Sequence, residues 1–332
     1  MKKYSAKTVF NVLLIVAAYG YLIYTFVTFD DYPELFGHFR SAGWPQYGAL
    51  ALAAALIPLN FLCEAFKWQY LLRKLEPMTL LEAQRQVYYG FLGAMLTPER
   101  LGDYPTRVTC IPDKTKWLPA IALGFVGTMG LSTVNMSGGL LSLLFSGLEV
   151  GGAAKKEVLT VSCLLLVFFV AVLLLLPYWA RKTYKPNRPN LAHGEADRPE
   201  QSVGKNKSGW RGTWQKMVEV LKDFSFWEFP VVIAISFLRY LTYGTQLLLV
   251  LVFCGVTLTP LQYLIIIPIH YLFVTVVPTV PVADAAVRGS VGVLIFSAFT
   301  DNTAGVALAA IVLWILNTII PAIIGTTIKQ RV

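Results

Sequence analysis

Six stretches of this sequence run for more than 20 residues with almost no ionised side chain: residues 9–29, 41–63, 117–148, 158–180, 229–283, broken only by Arg239, and 302–328. A charge at the centre of a membrane span costs roughly 2.5–3.5 kcal/mol even on a lenient insertion scale, and a crossing helix needs about 20 apolar residues. These stretches therefore read as membrane spans. Of the 332 residues 56% are apolar or aromatic and 14% are charged, enough for seven or eight spans. That composition excludes a soluble globular chain, a secreted disulfide scaffold, a nucleic-acid binder and a disordered tail. The fold class is all-α, a polytopic membrane protein with about eight transmembrane helices.

The excess of 28 Lys+Arg over 19 Asp+Glu, +9 in all, belongs first to cytoplasmic loops. Lys2, Lys3 and Lys7 precede residues 9–29, which are too long for a signal-peptide core and lack an A-x-A cleavage site. A retained first span with a cytoplasmic start is expected. The segment 30–45 carries Asp30, Asp31 and Glu34 against Arg40 and reads as an external loop. The four cysteines, Cys63, Cys110, Cys163 and Cys254, are dispersed and read as structural.

Two stretches are too long for one crossing. Residues 117–148 read as one long helix or as a hairpin turning at 132–139, and residues 229–283 divide at 255–260. Residues 261–277 read as re-entrant or spanning, so the count runs from six to nine, and an even number places both ends in the cytoplasm. A shorter apolar piece, residues 86–97, has the length of a half-helix. Residues 181–228 carry ten Lys/Arg against six Asp/Glu with dense Pro, Gly, Asn and Ser, and read as a cytoplasmic basic linker. Near its end Trp210, Trp214, Met217, Val218, Leu221 and Phe224 recur at helical spacing among Lys205, Lys207, Arg211, Lys216 and Lys222. That is the pattern of an amphipathic helix on an anionic leaflet, or of a soluble extension of the next span. A single transmembrane domain, residues 1–332, is thus expected as a first half (1–180), this linker (181–228) and a second half (229–332).

The halves resemble each other. In the first, a span ending in Glu64, Lys67 and Trp68 leads to the short apolar piece and then to Thr97-Pro98-Glu99-Arg100-Leu-Gly102-Asp103-Tyr-Pro105-Thr-Arg107. In the second, the span with Arg239 leads to residues 261–277 and then to Pro278-Thr-Val-Pro281-Val-Ala-Asp284-Ala-Ala-Val-Arg288. Each closes on proline and then Asp-x-x-x-Arg. Two repeats, each with a re-entrant or broken helix facing a shared centre, are a recurrent plan of transporters. Guanidinium groups meet phosphate with paired charge-assisted hydrogen bonds, and an aspartate four residues earlier pairs the arginine when phosphate is absent. Arg107 and Arg288, then Arg100 and Arg239, with Asp103 and Asp284, are the candidate headgroup contacts; the bland reading is helix-surface ion pairs with arginines snorkelling to the bilayer edge.

Glu64 and Lys67 are candidates for a gate or for an ordinary pair at the cytoplasmic edge. His270, beside Pro268, is a candidate proton relay or the partner of a freed carbonyl. Pro98, Pro105, Pro278 and Pro281 break helices whatever the function. Gly124, Gly127 and Gly130 should permit close helix approach. The sequence has no phosphate-binding P-loop, no H-E-x-x-H and no Cys/His cluster, so no catalytic residue, metal or cofactor is expected.

With these residues laid out, the chain resembles the lysylphosphatidylglycerol synthase transmembrane-region family, a flippase-like membrane domain. The likeness rests on Glu64-x-x-Lys67-Trp68, on Gly90-Phe-Leu-Gly-Ala-Met-Leu-Thr97-Pro98-Glu99-Arg100-Leu-Gly102-Asp103, similar to the family's Thr-Pro-x-Arg-x-Gly-acid signature, and on Arg107 beyond it. In the second half Asp284 stands where the family has a Glu after a Gly-rich stretch. The resemblance implies a stand-alone membrane domain, without the aminoacyl-transferase domain, in a bacterial inner membrane, moving a phospholipid or other anionic lipid between leaflets. The alternatives are an integral-membrane enzyme acting on a lipid or polyprenyl phosphate through Asp103, Asp284, Glu64 or His270, and a non-catalytic partner of a lipid-synthesising enzyme. No nucleic-acid partner is expected, and a second copy of the chain is admitted as a partner.

Overall fold

The computed structural model describes residues 32–97, 100–145, 152–183, 210–223, 227–277 and 281–328, with a few helical positions before residue 32. The expected first span, Pro98, Pro278 and the basic residues Lys205 and Lys207 lie outside the described residues. Within them every regular element is a helix: α1 (Tyr32–Ser41), α2 (Trp44–Leu72), α3 (Leu80–Leu96), α4 (Asp103–Val108), α5 (Trp117–Phe145), α6 (Gly152–Thr183), α7 (Trp210–Lys222), α8 (Glu228–Phe253), α9 (Pro260–Val276), α10 (Pro281–Phe296), α11 (Thr303–Trp314) and α12 (Ile320–Thr327). The last two run on through a π-helical turn, Ile315–Ile319. Five helices are long and apolar enough to cross a membrane: α2, α5 with the 3-10 turn before it, the Leu159–Thr183 part of α6, α8, and the α11–α12 unit.

Helices α2 and α8 form the central pair and run antiparallel. Gln246 Nε2 donates to the Ala53 carbonyl at 3.0 Å, Arg239 pairs with Glu64, and Arg73 pairs with Glu228. The order 53, 64, 73 on α2 thus meets 246, 239, 228 on α8. Because α3 follows the C-terminal end of α2 and α9 follows that of α8, these two helices start at opposite ends of the pair. They match in detail: each has 17 residues, and each opens with a threonine capping box, Thr79 with Glu82 and Thr259 with Gln262. At 1.5 Å per residue each is about 25 Å long, short of a roughly 30 Å hydrocarbon core. Each is followed by a break and by a helix bearing Asp-x-x-x-Arg, α4 or α10.

One open alternative is decided and three expectations change. Residues 117–145 form one unbroken helix with no hairpin at 132–139, because Gly124, Gly127, Gly130 and Gly139 on it admit Tyr104, Leu71, Val232 and Leu272 at distances that a Cβ would close to 2.3–2.9 Å. The packed partners hold the polar stretch in helix. The short apolar piece is longer than 86–97, since the Thr79 cap starts α3 six residues earlier and its first turns carry Glu82 and Arg85 on the outside. The presumed external loop 30–45 contains α1, held to the end of α8 by His38 Nε2 and the Phe253 carbonyl at 3.2 Å. Lastly, α7 turns Val218 and Leu221, both buried, toward α5 and α6, with Arg181 Nε donating to the Lys222 carbonyl at 3.1 Å. At Val218 and Leu221 that apolar face covers protein.

The outer faces are apolar as well. On α6, Leu164, Val167, Phe168, Leu174 and Leu175 are all exposed, an arrangement that water would penalise and lipid tails would solvate. The cysteines are free thiols.

Candidate functional site

The centre of the molecule is held by a carboxylate. Glu64, eight residues before the end of α2, lies about 12 Å in from that end and is 3% exposed. A lone carboxylate there would cost several kcal/mol. Glu64 instead receives three cations: Lys67 Nζ at 2.8 Å on Oε2, Arg239 Nη1 on the same oxygen, and Arg107 Nη1 at 3.1 Å on Oε1. Arg107 is further held by Asp103 through two parallel bonds, Nε to Oδ1 at 2.6 Å and Nη2 to Oδ2 at 2.7 Å, and its guanidinium lies 4.9 Å from the Tyr104 ring centroid. Glu64 therefore ties α2, α4 and α8 together. Lys67 is buried inside the protein, 2% exposed.

The fit of α4 against α3 depends on glycine. A Cβ on Gly90 would lie 2.2 Å from Asp103 Oδ1, and one on Gly93 would lie 1.8 Å from Thr106 Oγ1 and 2.3 Å from the Gly102 carbonyl. Only hydrogen at these positions lets the short helix approach closely enough to deliver Arg107 to Glu64. Thr97 Oγ1 closes the turn by accepting from the Gly102 amide at 2.6 Å. Pro105 sits inside α4, where its missing N–H falls in the first turn and costs nothing.

Beside this cluster is a cavity of about 340 Å³. From the first half it is lined by Asn60, Phe61, Phe91, Arg100 and Asn135 among others, and from the second by Arg239, Tyr243, His270, Tyr271 and Arg288. Trp314, Asn317 and Thr318 reach it from the π-helical turn and the residue before it, a local irregularity that recurs at functional sites. Arg100 has φ +55°, a left-handed conformation that disfavours any side chain but that here sends the guanidinium over Phe91, 4.6 Å from its centroid. Its Nη2 is buried without a partner, as are His270 Nδ1 and Trp314 Nε1. Arg288 Nε donates to Asp284 Oδ1 at 2.7 Å. Asn60 Oδ1 accepts from Arg239 Nε at 3.1 Å, and Asn60 Nδ2 donates to Asn317 Oδ1 at 2.8 Å.

The structure thus gathers the singled-out residues into two adjoining groups. Arg100, Arg239, Arg288 and His270 line the cavity, while Glu64, Lys67, Asp103, Arg107 and Asp284 stand outside its lining and hold charges in place. Arg107, 1% exposed, is engaged by Asp103 and Glu64. Sequence reasoning passed over Asn60, Asn135, Tyr243, Trp314, Asn317 and Thr318. Their signal was present as three amides, a threonine, a tyrosine and a tryptophan at mid-span positions, where a polar side chain needs a partner.

No curated protein matches the chain. A family described as the lysylphosphatidylglycerol synthase TM region matches residues 9–325. That match, with several helices apolar enough to span a bilayer, makes the chain a multi-pass membrane protein, and it belongs to the lysylphosphatidylglycerol synthase transmembrane-region family.

Proposed function

We propose that this chain moves a phospholipid or related anionic amphiphile between leaflets, receiving the headgroup in the arginine-lined cavity. The observation that carries the reading is the convergence of Arg100, Arg239 and Arg288, from both halves, on one interior space. A lipid phosphate leaving water there would exchange hydration for charge-assisted hydrogen bonds. The acids near the site are engaged with cations, which favours transport over acid–base chemistry on the lipid.

In this reading α3 with α4, and α9 with α10, are re-entrant hairpins entering from opposite faces, with their breaks meeting at the cavity. Helices α2, α5, α6, α8 and the α11–α12 unit cross fully; the further span expected at residues 9–29 lies outside the described residues. The distribution of charge supports one orientation. Arg73, Lys74, Lys114, Lys116, Arg181 and Lys182 gather at the end where α2 finishes, while α1, which bears Glu34, and Asp301 belong to the other, so the first end is cytoplasmic under the positive-inside rule. We place the chain in a bacterial inner membrane, as the family resemblance implies.

The test is redistribution of acyl-labelled phospholipid in proteoliposomes, with lipid mass checked afterwards. Wild type should move lipid without changing its mass, and Arg239→Ala combined with Arg288→Ala should abolish movement. Movement indifferent to both arginines would sink the mechanism, and altered lipid mass would assign the chain to the enzymes.

A further inference from the structure

The α11–α12 unit touches both hairpins, each through a different part of its length. Helix α11 packs on α10, and glycine brings the two close: a Cβ on Gly292 would lie 3.2 Å from Val306 Cγ1. Helix α12 packs on α3, where a Cβ on Gly325 would lie 2.4 Å from the Tyr88 carbonyl. Between these two contacts the α-helix gives way to the π-helical turn Ile315–Ile319. The cause of that turn is in the sequence. Pro321, the second residue of α12, has no N–H to give the Asn317 carbonyl four residues back, and its ring crowds that carbonyl. The Ile320 N–H reaches instead to the Ile315 carbonyl, five residues back, which is the π-helical spacing.

The same joint faces the cavity. Trp314, Asn317 and Thr318 line it. Asn317 Oδ1 accepts from Asn60 Nδ2 of α2 at 2.8 Å, while Trp314 Nε1 is buried without a partner. A molecule entering the cavity therefore meets the joint directly and finds an indole N–H to accept from. Kinks in helices arise at prolines and at π-bulges, and hinges are a few residues that absorb a change of backbone angle. Here both causes of a kink stand next to each other, at the point where one crossing helix passes from the second hairpin to the first.

We propose that the π-helical turn is the hinge of the transport cycle: α10 with α11 forms one body, α3 with α12 the other, and occupancy of the cavity sets the angle between them through Trp314 and Asn317. The inference rests on the lipid-moving reading above and locates its moving part. A bound molecule shifts such a hinge only by contacts that differ between its two arrangements, and the side chains of Trp314 and Asn317 are carried by the hinge itself. Pro321, outside the cavity lining, is a positioning residue that keeps the turn from closing into plain α-helix.

The experiment uses the full chain without its native cysteines, in phosphatidylcholine vesicles, with acyl-labelled phosphatidylglycerol as the probe. Spin labels at Leu294→Cys on α10 and Ile323→Cys on α12, both exposed, report across the joint. Labels at Leu81→Cys on α3 and Thr327→Cys on α12, also exposed, report within one body. The first pair should show two distances whose populations shift with the probe, and the second pair a single distance. Pro321→Ala restores the N–H and removes the ring. It should leave one distance across the joint, bind the probe within about threefold of wild type and move it at least about tenfold more slowly, a split that lost gating produces. Trp314→Phe should weaken probe binding about tenfold, the worth of a hydrogen bond to a charged group; unchanged binding would overturn the part assigned to Trp314. A single distance across the joint in wild type, two distances between α3 and α12, or a folded Pro321→Ala that moves the probe at the wild-type rate would overturn the hinge. If wild type neither binds nor moves the probe yet shows two distances across the joint, the lipid reading falls and the hinge stands; movement with a single distance does the reverse.

Discussion

At the residue scale the molecule depends on how it pairs charges it cannot hydrate. Glu64 accepts from Arg107, Arg239 and Lys67, so removing its charge leaves buried cations without their shared partner. Glu64→Gln should destabilise the protein by about 3–5 kcal/mol, the usual cost of breaking a buried pair, seen as a large fall in melting temperature in detergent. Arg100 differs, because its backbone is in the left-handed region and its Nη2 has no partner. Arg100→Gly relieves that conformation, so stability should change by no more than about 1 kcal/mol, while lipid movement in proteoliposomes is lost. A strongly destabilised Arg100→Gly would make Arg100 a structural residue.

At the element scale the α3–α4 hairpin and the docking of α7 are the informative features. Gly93→Ala would place a methyl group 2.3 Å from the Gly102 carbonyl, a backbone atom that cannot swing aside. Overpacking of this kind costs about 1–3 kcal/mol. It should also displace Arg107, so lipid movement should fall more than a melting curve alone explains. For α7, Leu221 is 3% exposed within the core. Leu221→Asp should undock the helix and make the segment before α8 readily cleaved by protease, whereas an α7 lying free on the bilayer would show no new cleavage. Both elements show where sequence patterns stop. The 3.6-residue period identified α7 and its apolar face, yet the same period serves lipid or protein, and only the neighbouring α5 and α6 decide which.

At the scale of the whole molecule, antiparallel α2 and α8 place the starts of α3 and α9 at opposite ends. Pro77 and Thr257, both exposed just before those helices, should therefore face opposite sides of the membrane. In a background lacking the native cysteines, Pro77→Cys and Thr257→Cys should react with an impermeant thiol reagent from opposite faces of sealed vesicles. Labelling of both from one face would overturn the proposed inverted arrangement of α3 and α9 and with it the proposed meeting of their breaks at one cavity.

The sequence by itself determined that the chain is helical and membrane-embedded, and that Asp103 with Arg107 and Asp284 with Arg288 are i, i+4 pairs. These follow from hydropathy, helical period and proline, all of which act over a few turns. Only the tertiary structure decided that residues 117–145 stay one helix, that Lys67 and Arg107 are interior, and that Arg100, Arg239 and Arg288 share a space. Those outcomes depend on which helices touch. Contacts such as Glu64 with Arg239, 175 residues apart, come from the close approaches that glycine allows and from the need of each buried charge to find an opposite one, and neither is written in local order along the chain.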